Sequence, residues 1–325
     1  MEAIGMSIAT RTVGVIGVGH VGSHVALLLG MMGVADTVRL CDLNETMVTS
    51  QRQDLMDAVK FMPHPVDYVI SSYEELKDCD VIVNSVGNIK ILTNGNHDRD
   101  DEMAYTVPQV AATIPKVMAG GFHGYFVNIT NPCDVITKLI SDLSGLPKGQ
   151  VLGTGTGLDT SRLVSALAQQ TGVAHQSIMA FMMGEHGNSQ MTPWSLVRFG
   201  GKSLDELKGQ APFDFDTEEV KNRAIEGGWV TMQGKQCTEF GIGATAATIV
   251  GTILRGKNEI MPVSAPLDGE YGEHDVFVGC PAVIGAGGME KVVEYKLAAN
   301  ELADFKKCCQ TIRDNYARAC KLIEK

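Results

Sequence analysis

Thr12-Val13-Gly14-Val15-Ile16-Gly17-Val18-Gly19-His20-Val21-Gly22 is the stretch from which the fold is read. A short apolar run breaks into glycines at G-x-G-x-x-G spacing, and residues 20–32 beyond it read as a helix. Each glycine has its own task in such a turn. Gly17 allows the tight turn, Gly19 lets the backbone approach a pyrophosphate, and Gly22 lets helix and strand pack closely. The N–H groups that open the helix, at His20 and Val21, then face the phosphates with the helix dipole behind them. By themselves the glycines would mark only a turn. The second half of the signature is Asp42, twenty residues past Gly22 at the end of the predicted strand Thr37–Cys41. A carboxylate there accepts hydrogen bonds from an adenosine ribose. Leu43 follows in place of an arginine, so a ribose 2′-phosphate would meet repulsion without a cation. NAD is therefore expected rather than NADP.

Outward from this unit, strands and helices alternate. Strands are expected at 66–71, 79–86, 124–130 and 151–153, and helices at 45–60 and from about Pro132, whose ring suits a first helical turn. The rhythm implies an α/β class: a Rossmann-type doubly wound parallel sheet covered on both faces, with 151–153 as its final strand. Beyond it the rhythm changes. Helices at 158–170, 216–227, 244–256 and 300–323, with strands at 178–183 and 194–199, make a mixed α+β half. The expected domains are 1–153 for dinucleotide binding and 154–325 for substrate and catalysis. Residues 87–106 read as a long, polar, charged loop, a length that suits a lid or binding loop.

Composition narrows the function class. The 325 residues are 44% hydrophobic and 20% charged, with a formal net charge of -11. Such an acidic chain is a poor candidate for nucleic acid or an anionic membrane surface. The eight cysteines contain no C-x-x-C pair and read as free thiols in a reducing compartment, with no metal site expected. Residues 1–11 lack the basic start and apolar run of a signal peptide. The longest apolar stretch, 25–35, is about half of the roughly 20 residues that span a bilayer. The expectation is a cytoplasmic protein.

Two charged clusters carry the chemistry. Leu158-Asp159-Thr160-Ser161-Arg162 opens a predicted helix with Asp159 and Arg162 on one face, and Gly184-Glu185-His186-Gly187-Asn188 follows a predicted strand. Singly, they read as a helix ion pair and a histidine in a glycine turn. Beside a dinucleotide fingerprint they supply a proton donor near neutrality and an anchor for a carboxylate.

Residues 17–22, Asp42, Asn131-Pro132-Cys133-Asp134-Val135, Leu158-Asp159-x-x-Arg162 and Gly184-Glu185-His186-Gly187 resemble, in order and spacing, the lactate/malate dehydrogenase family over nearly the whole chain. Gly87-Asn88-Ile89-Lys90, Phe122-His123-Gly124, Gly153-Thr154-Gly155-Thr156 and residues 184–190 look closest to its L-2-hydroxyisocaproate dehydrogenase branch. The resemblance implies that His186 gives a proton to the ketone oxygen and takes it back in oxidation. Asp159 would accept the other ring N–H, and Arg162 would hold the substrate carboxylate through two parallel hydrogen bonds. Arg99, swinging in from the loop, would polarise the carbonyl. Asn131 would bond the substrate carbonyl or the cofactor, and Gly87 and Asn88 would lie against the cofactor. Cys133 stands where the family usually has valine, which reads as a packing change.

In malate dehydrogenases of this family a second arginine in the loop reads the distal carboxylate. The matching position here falls near Ile91 or Leu92, where an apolar residue cannot pair with one; Lys90 nearby reads as an exposed loop lysine. Gly227-Gly228 stand where lactate enzymes usually carry larger residues, and Thr238 would line the same pocket. Each buried methylene contributes about 0.8 kcal/mol, so a widened apolar pocket favours branched or aromatic 2-oxo acids. The expected function is a reversible NAD-dependent L-2-hydroxy acid dehydrogenase, acting on small 2-oxo and 2-hydroxy acids and assembled as a homo-oligomer, dimer or tetramer. The alternatives are an L-lactate or malate dehydrogenase and, in a different class, an inactive NAD-sensing protein. Sensing alone would not need Asp159, Arg162 and His186.

Overall fold

A computed structural model describes residues 10–89, 91, 99–187 and 189–324, with only the backbone of Arg99. Strand β1 (Thr12–Ile16) is buried beyond its first residue because helices cover both faces of its sheet. It pairs in parallel with β2 (Thr37–Cys41) and with β4 (Val81–Asn84). β3 (Asp67–Ile70), β5 (Tyr125–Asn128) and β6 (Val151–Gly153) complete a parallel run in the order β6-β5-β4-β1-β2-β3. Helices α1 (His20–Met31), α2 (Glu45–Val59), α3 (Arg99–Ala119) and α4 (Cys133–Ser144) belong to this half. This is the doubly wound class that the alternation predicts.

Several expectations need correction. The predicted loop 87–106 ends early: Arg99 opens α3, and Asp100, Asp101 and Glu102 fill its first turn, where the helix dipole favours acidic groups. Pro132 is not in the first helical turn but caps α4 from outside, at φ -65 and ψ 120. The predicted strand 178–183 shrinks to β7 (Ile178–Met179), because Gly184 (φ 98) turns the buried residues that follow toward another strand, pairing with Gly279. The predicted strand 194–199 becomes a 3₁₀ turn, Trp194–Leu196, and a short β8 (Arg198–Phe199). There the Glu301 carboxylate accepts from the Ser195 N–H at 2.9 Å and from its hydroxyl at 2.5 Å, holding the turn to the C-terminal helix. β9 (Lys202–Ser203) closes this small sheet and leads into α6 (Leu204–Leu207), which follows α5 (Gly157–Thr171) in the chain.

β6 is not the final strand of the large sheet. β10 (Glu259–Asp268) pairs antiparallel with it through Ser264 and Gly153, and β11 (His274–Gly285) and β12 (Gly288–Val292) extend the sheet to nine strands. Prolines hid β10 and β11. Pro262 and Pro281 lie directly opposite each other, so two of the three interruptions fall at one rung of the β10–β11 ladder, and Pro266 falls opposite Phe277. The helix expected at 216–227 is α7 (Thr217–Lys235); it runs through both glycines and ends at Gln236 in the left-handed region. α8 (Phe240–Arg255) packs on α1, where Gly243 leaves room for Leu28, and α9 (Ala299–Ile323) lies against α3 and α4. Among the described residues no single helix is long and apolar enough to cross a membrane. α7 and α8 meet that requirement of length and composition only together, across a 115° bend.

Candidate active site

The parallel strands point their carboxyl ends at one edge of the sheet, where a doubly wound fold places its ligands. The fingerprint turn lies there, after β1. Gly17 takes φ 83, and a Cβ on it would lie 2.5 Å from the Ser85 carbonyl oxygen. A Cβ on Gly22 would lie 1.8 Å from the Gly17 carbonyl oxygen, so side chains are excluded at both positions. A Cβ on Gly19 would meet no described atom within 4 Å; here the open side faces outward and α1 begins with no side-chain cap. At the end of β2 the Asp42 carboxylate is already aimed, accepting from the Val18 N–H and the Asn44 N–H, both at 2.8 Å. Leu43 beside it is exposed. These residues fit an adenosine dinucleotide: a glycine cradle at a helix start, with a pinned carboxylate one strand away.

Next along the edge, the ends of β4 and β5 are tied by a buried amide network. Asn84 Nδ2 donates to Asn128 Oδ1 at 2.8 Å and to Thr130 Oγ1 at 3.0 Å, and the Thr130 hydroxyl donates to the Val86 carbonyl at 2.8 Å. The network fixes the turn leading to Gly87 and Asn88, both exposed, against the turn carrying Asn131. Thr106 of α3 donates to the Asn131 carbonyl at 2.8 Å. Cys133 is fully buried; burial pushes its thiol up to about 12, which makes it an inert packing group.

The charged groups meet as expected. His186 Nδ1 lies 2.6 Å from Asp159 Oδ2, and Arg162 Nη1 donates to Asp159 Oδ1 at 3.2 Å. Burial would push the Asp159 carboxyl up, but the His186 and Arg162 charges and hydrogen bonds overcome this and hold it below its usual range. Gly228 of α7 supports the guanidinium, since a Cβ there would lie 3.2 Å from Arg162 Cζ. Gly227, one residue earlier, faces open space.

Asp134 joins this site without a role legible in the sequence. This buried carboxylate accepts from the His186 backbone N–H at 2.8 Å and from the Ser264 hydroxyl at 2.6 Å. It thereby fastens the histidine segment to the end of the parallel sheet. Burial raises its carboxyl to about 6, although both hydrogen bonds pull the other way. The only hint in the sequence is an acidic residue two beyond the Asn131-Pro132 turn.

His20 was expected to serve the phosphates. Its side chain lies 2.9 Å from a Glu239 oxygen across the turn that carries half-buried Thr238. Burial opposes ionisation of Glu239, but bonds from Lys235, His20 and Cys237 bring its carboxyl down to about 2. Ile91 is half-buried, whereas Lys90, Leu92, Asn188 and the Arg99 side chain lie outside the described residues.

Two family models match the chain. The lactate/malate dehydrogenase NAD-binding domain matches residues 11–153, and the lactate/malate dehydrogenase alpha/beta C-terminal domain matches residues 156–323. The chain belongs to the lactate/malate dehydrogenase family. It is an NAD-dependent dehydrogenase of the 2-hydroxy acid class. An L-lactate dehydrogenase of Fusobacterium nucleatum is 37% identical over 307 residues, covering 94% of this chain and 95% of that protein. L-lactate dehydrogenase 2 of Listeria monocytogenes is 38% identical over 315 residues, covering 93% and 99%. Among solved structures, the ligand-bound minor L-lactate dehydrogenase of Enterococcus mundtii superposes with a TM-score of 0.90 at 29% identity, covering 95% of this chain and 98% of that one. Malate dehydrogenase of Salinibacter ruber superposes with a TM-score of 0.85 at 28% identity, covering 97% and 99%.

Proposed function

We propose that this member of the family transfers hydride between NADH and 2-oxo acids with medium to bulky apolar side chains, giving L-2-hydroxy acids in the manner of an L-2-hydroxyisocaproate dehydrogenase. The supporting observation is the linked set His186–Asp159–Arg162, in which one carboxylate holds both the imidazole and the guanidinium. When bound, the nicotinamide supplies or accepts the hydride. Gly17, Gly19 and the N–H groups of His20 and Val21 would hold the pyrophosphate, Gly22 serving the cofactor by letting the helix start pack on the turn, and Asp42 would take the adenosine ribose diol. Gly87, Asn88 and Asn131 line the nicotinamide end.

Asp159 fixes the His186 proton on Nδ1, so that Nε2 delivers a proton to the ketone oxygen in reduction and receives it in oxidation. Arg162 clamps the substrate carboxylate, with Gly228 beneath its guanidinium. Arg99, at the start of α3, neutralises charge developing on the carbonyl oxygen. Gly227, Gly228, Thr238, Ile91 and Leu92 shape the side-chain pocket, and the absence of an arginine at Ile91 or Leu92 disfavours diacids. The division of labour follows 1–153 for NAD and 154–325 for substrate. A homo-oligomer in the cytoplasm accords with exposed Phe61, Trp229, Val230 and Phe240 and with eight free thiols.

L-lactate dehydrogenase is the second reading, favoured by the names of the curated relatives. A panel of 2-oxo acids of increasing side-chain size, run with NADH and NADPH, decides between them. The expected order of kcat/KM is 2-oxoisocaproate and phenylpyruvate above pyruvate, oxaloacetate lowest, and NADH above NADPH. Pyruvate at the top would give the lactate reading, and no turnover with any acid would return the sensing protein.

A further inference from the structure

His20 lies in the fingerprint turn, and Cys237 and Glu239 lie in the turn before α8, more than two hundred residues away in sequence. One ligand atom from each of the three falls within 4.8 Å of the others. Cys237 and Glu239 are buried while His20 is exposed, so the donors sit at the surface with an accessible side. The two Glu239 oxygens are divided: Oε1 lies 2.9 Å from His20 Nδ1, and Oε2 lies 2.5 Å from Lys235 Nζ. Lys235 is itself seated over the Phe240 ring, 3.8 Å from its centroid.

We propose that His20, Cys237 and Glu239 form a site for one divalent ion of the zinc class, which staples the dinucleotide turn to the turn carrying Thr238. Imidazole, thiolate and carboxylate are zinc ligands, whereas magnesium and calcium take oxygen donors. Lys235 keeps Oε2 and orients the carboxylate, leaving Oε1 to the ion, the supporting role that outer hydrogen bonds have in metal sites. On binding, the Cys237 thiol proton passes to the buffer and His20 carries its ring proton on Nε2. Three protein ligands leave a fourth tetrahedral position for water or an anionic oxygen. This revises the expectation of no metal site, which rested on cysteine spacing along the chain.

The test uses the full chain, reduced and stripped with a chelator, titrated with Co²⁺ alone and with Zn²⁺ alone. One equivalent of Co²⁺ should give a near-ultraviolet thiolate-to-cobalt band that Cys237→Ser abolishes and Cys320→Ser retains. Zn²⁺ should raise the unfolding midpoint of the wild type but not of Cys237→Ser. His20→Ala, at an exposed position, should weaken Zn²⁺ binding about tenfold or more, and it decides the matter if Cys237→Ser does not fold. The proposal is overturned by the absence of a band, by its survival in Cys237→Ser, by its loss in Cys320→Ser, or by unchanged affinity in His20→Ala. None of these readouts requires turnover, so they stand or fall separately from the substrate panel.

Discussion

Asp134 occupies a place where ionisation is unfavourable, yet two donors are aimed at it. A carboxamide in its place could still accept from the His186 N–H and donate to Ser264 Oγ, so Asp134→Asn is expected to fold with a lowered kcat. Asp134→Ala leaves both donors unpaired and should lose about 1–3 kcal/mol of stability. Burial raises the folded carboxyl from 3.8 to about 6, so its contribution is complete below the lower value and is lost as pH rises through the upper one. The stability of the wild type relative to Asp134→Asn should therefore decline between about pH 4 and about pH 6 and level off above. Urea unfolding across that range checks it, and a flat difference would contradict the assignment. At this scale the site was legible by residue type: His186, Asp159 and Arg162 were named from spacing and meet in space. The role of Asp134 is not legible in its motif, because its partners are 52 and 130 residues away.

At the scale of the element, α7 carries a helix-weakening glycine pair, of which Gly228 alone lies where a side chain would disturb the anchor. Alanine in a helix interior is favoured over glycine by about 1 kcal/mol. Gly227→Ala faces open space and should gain most of that stability while moving the substrate optimum toward smaller acids. Gly228→Ala presses on the Arg162 guanidinium and should lower kcat/KM for every 2-oxo acid, chiefly through KM. Thermal midpoints and the acid panel together separate the two variants. If Gly228→Ala matches the wild type in KM, the glycine is not a support for Arg162. The start of α3 shows why some elements were misread: Asp100, Asp101 and Glu102 look like loop composition but are also what a helix N-terminus favours. Elements bounded by clear turn signals, such as β1 before Gly17 and β2 before Asp42, were legible to the residue.

Over the whole molecule, the nine-stranded sheet crosses residue 153, and α9 returns to pack on α3 and α4. The intact chain is expected to unfold in one step, with circular dichroism and the fluorescence of Trp194 and Trp229 giving coincident urea curves. A fragment of residues 1–153 should lack a cooperative transition, since it loses the β10 partner of β6 and the cover of α9. Separate transitions, or a stably folded fragment, would show that the halves are energetically independent. β10 and β11 were invisible in the sequence because their pairing unites segments that propensity alone marks as broken by Pro262, Pro266 and Pro281, and β12 because it is short and carries Glu290 and Lys291 in mid-strand.

The sequence by itself determined the local geometry and chemical type: strand, glycine turn and helix from residues 12–32, the carboxylate at Asp42, and the trio Asp159, Arg162 and His186. The strand, turn and helix follow from backbone sterics and short-range spacing, which a linear chain records, and the trio from its residue types beside the fingerprint together with the family resemblance. Tertiary structure alone decided that Asp134 holds the His186 backbone, that Gly228 lies under Arg162, and that Cys237 and Glu239 meet His20. Each depends on how separate helices and strands pack, and distances across a packed core are set by complementary shape and burial rather than by separation along the chain.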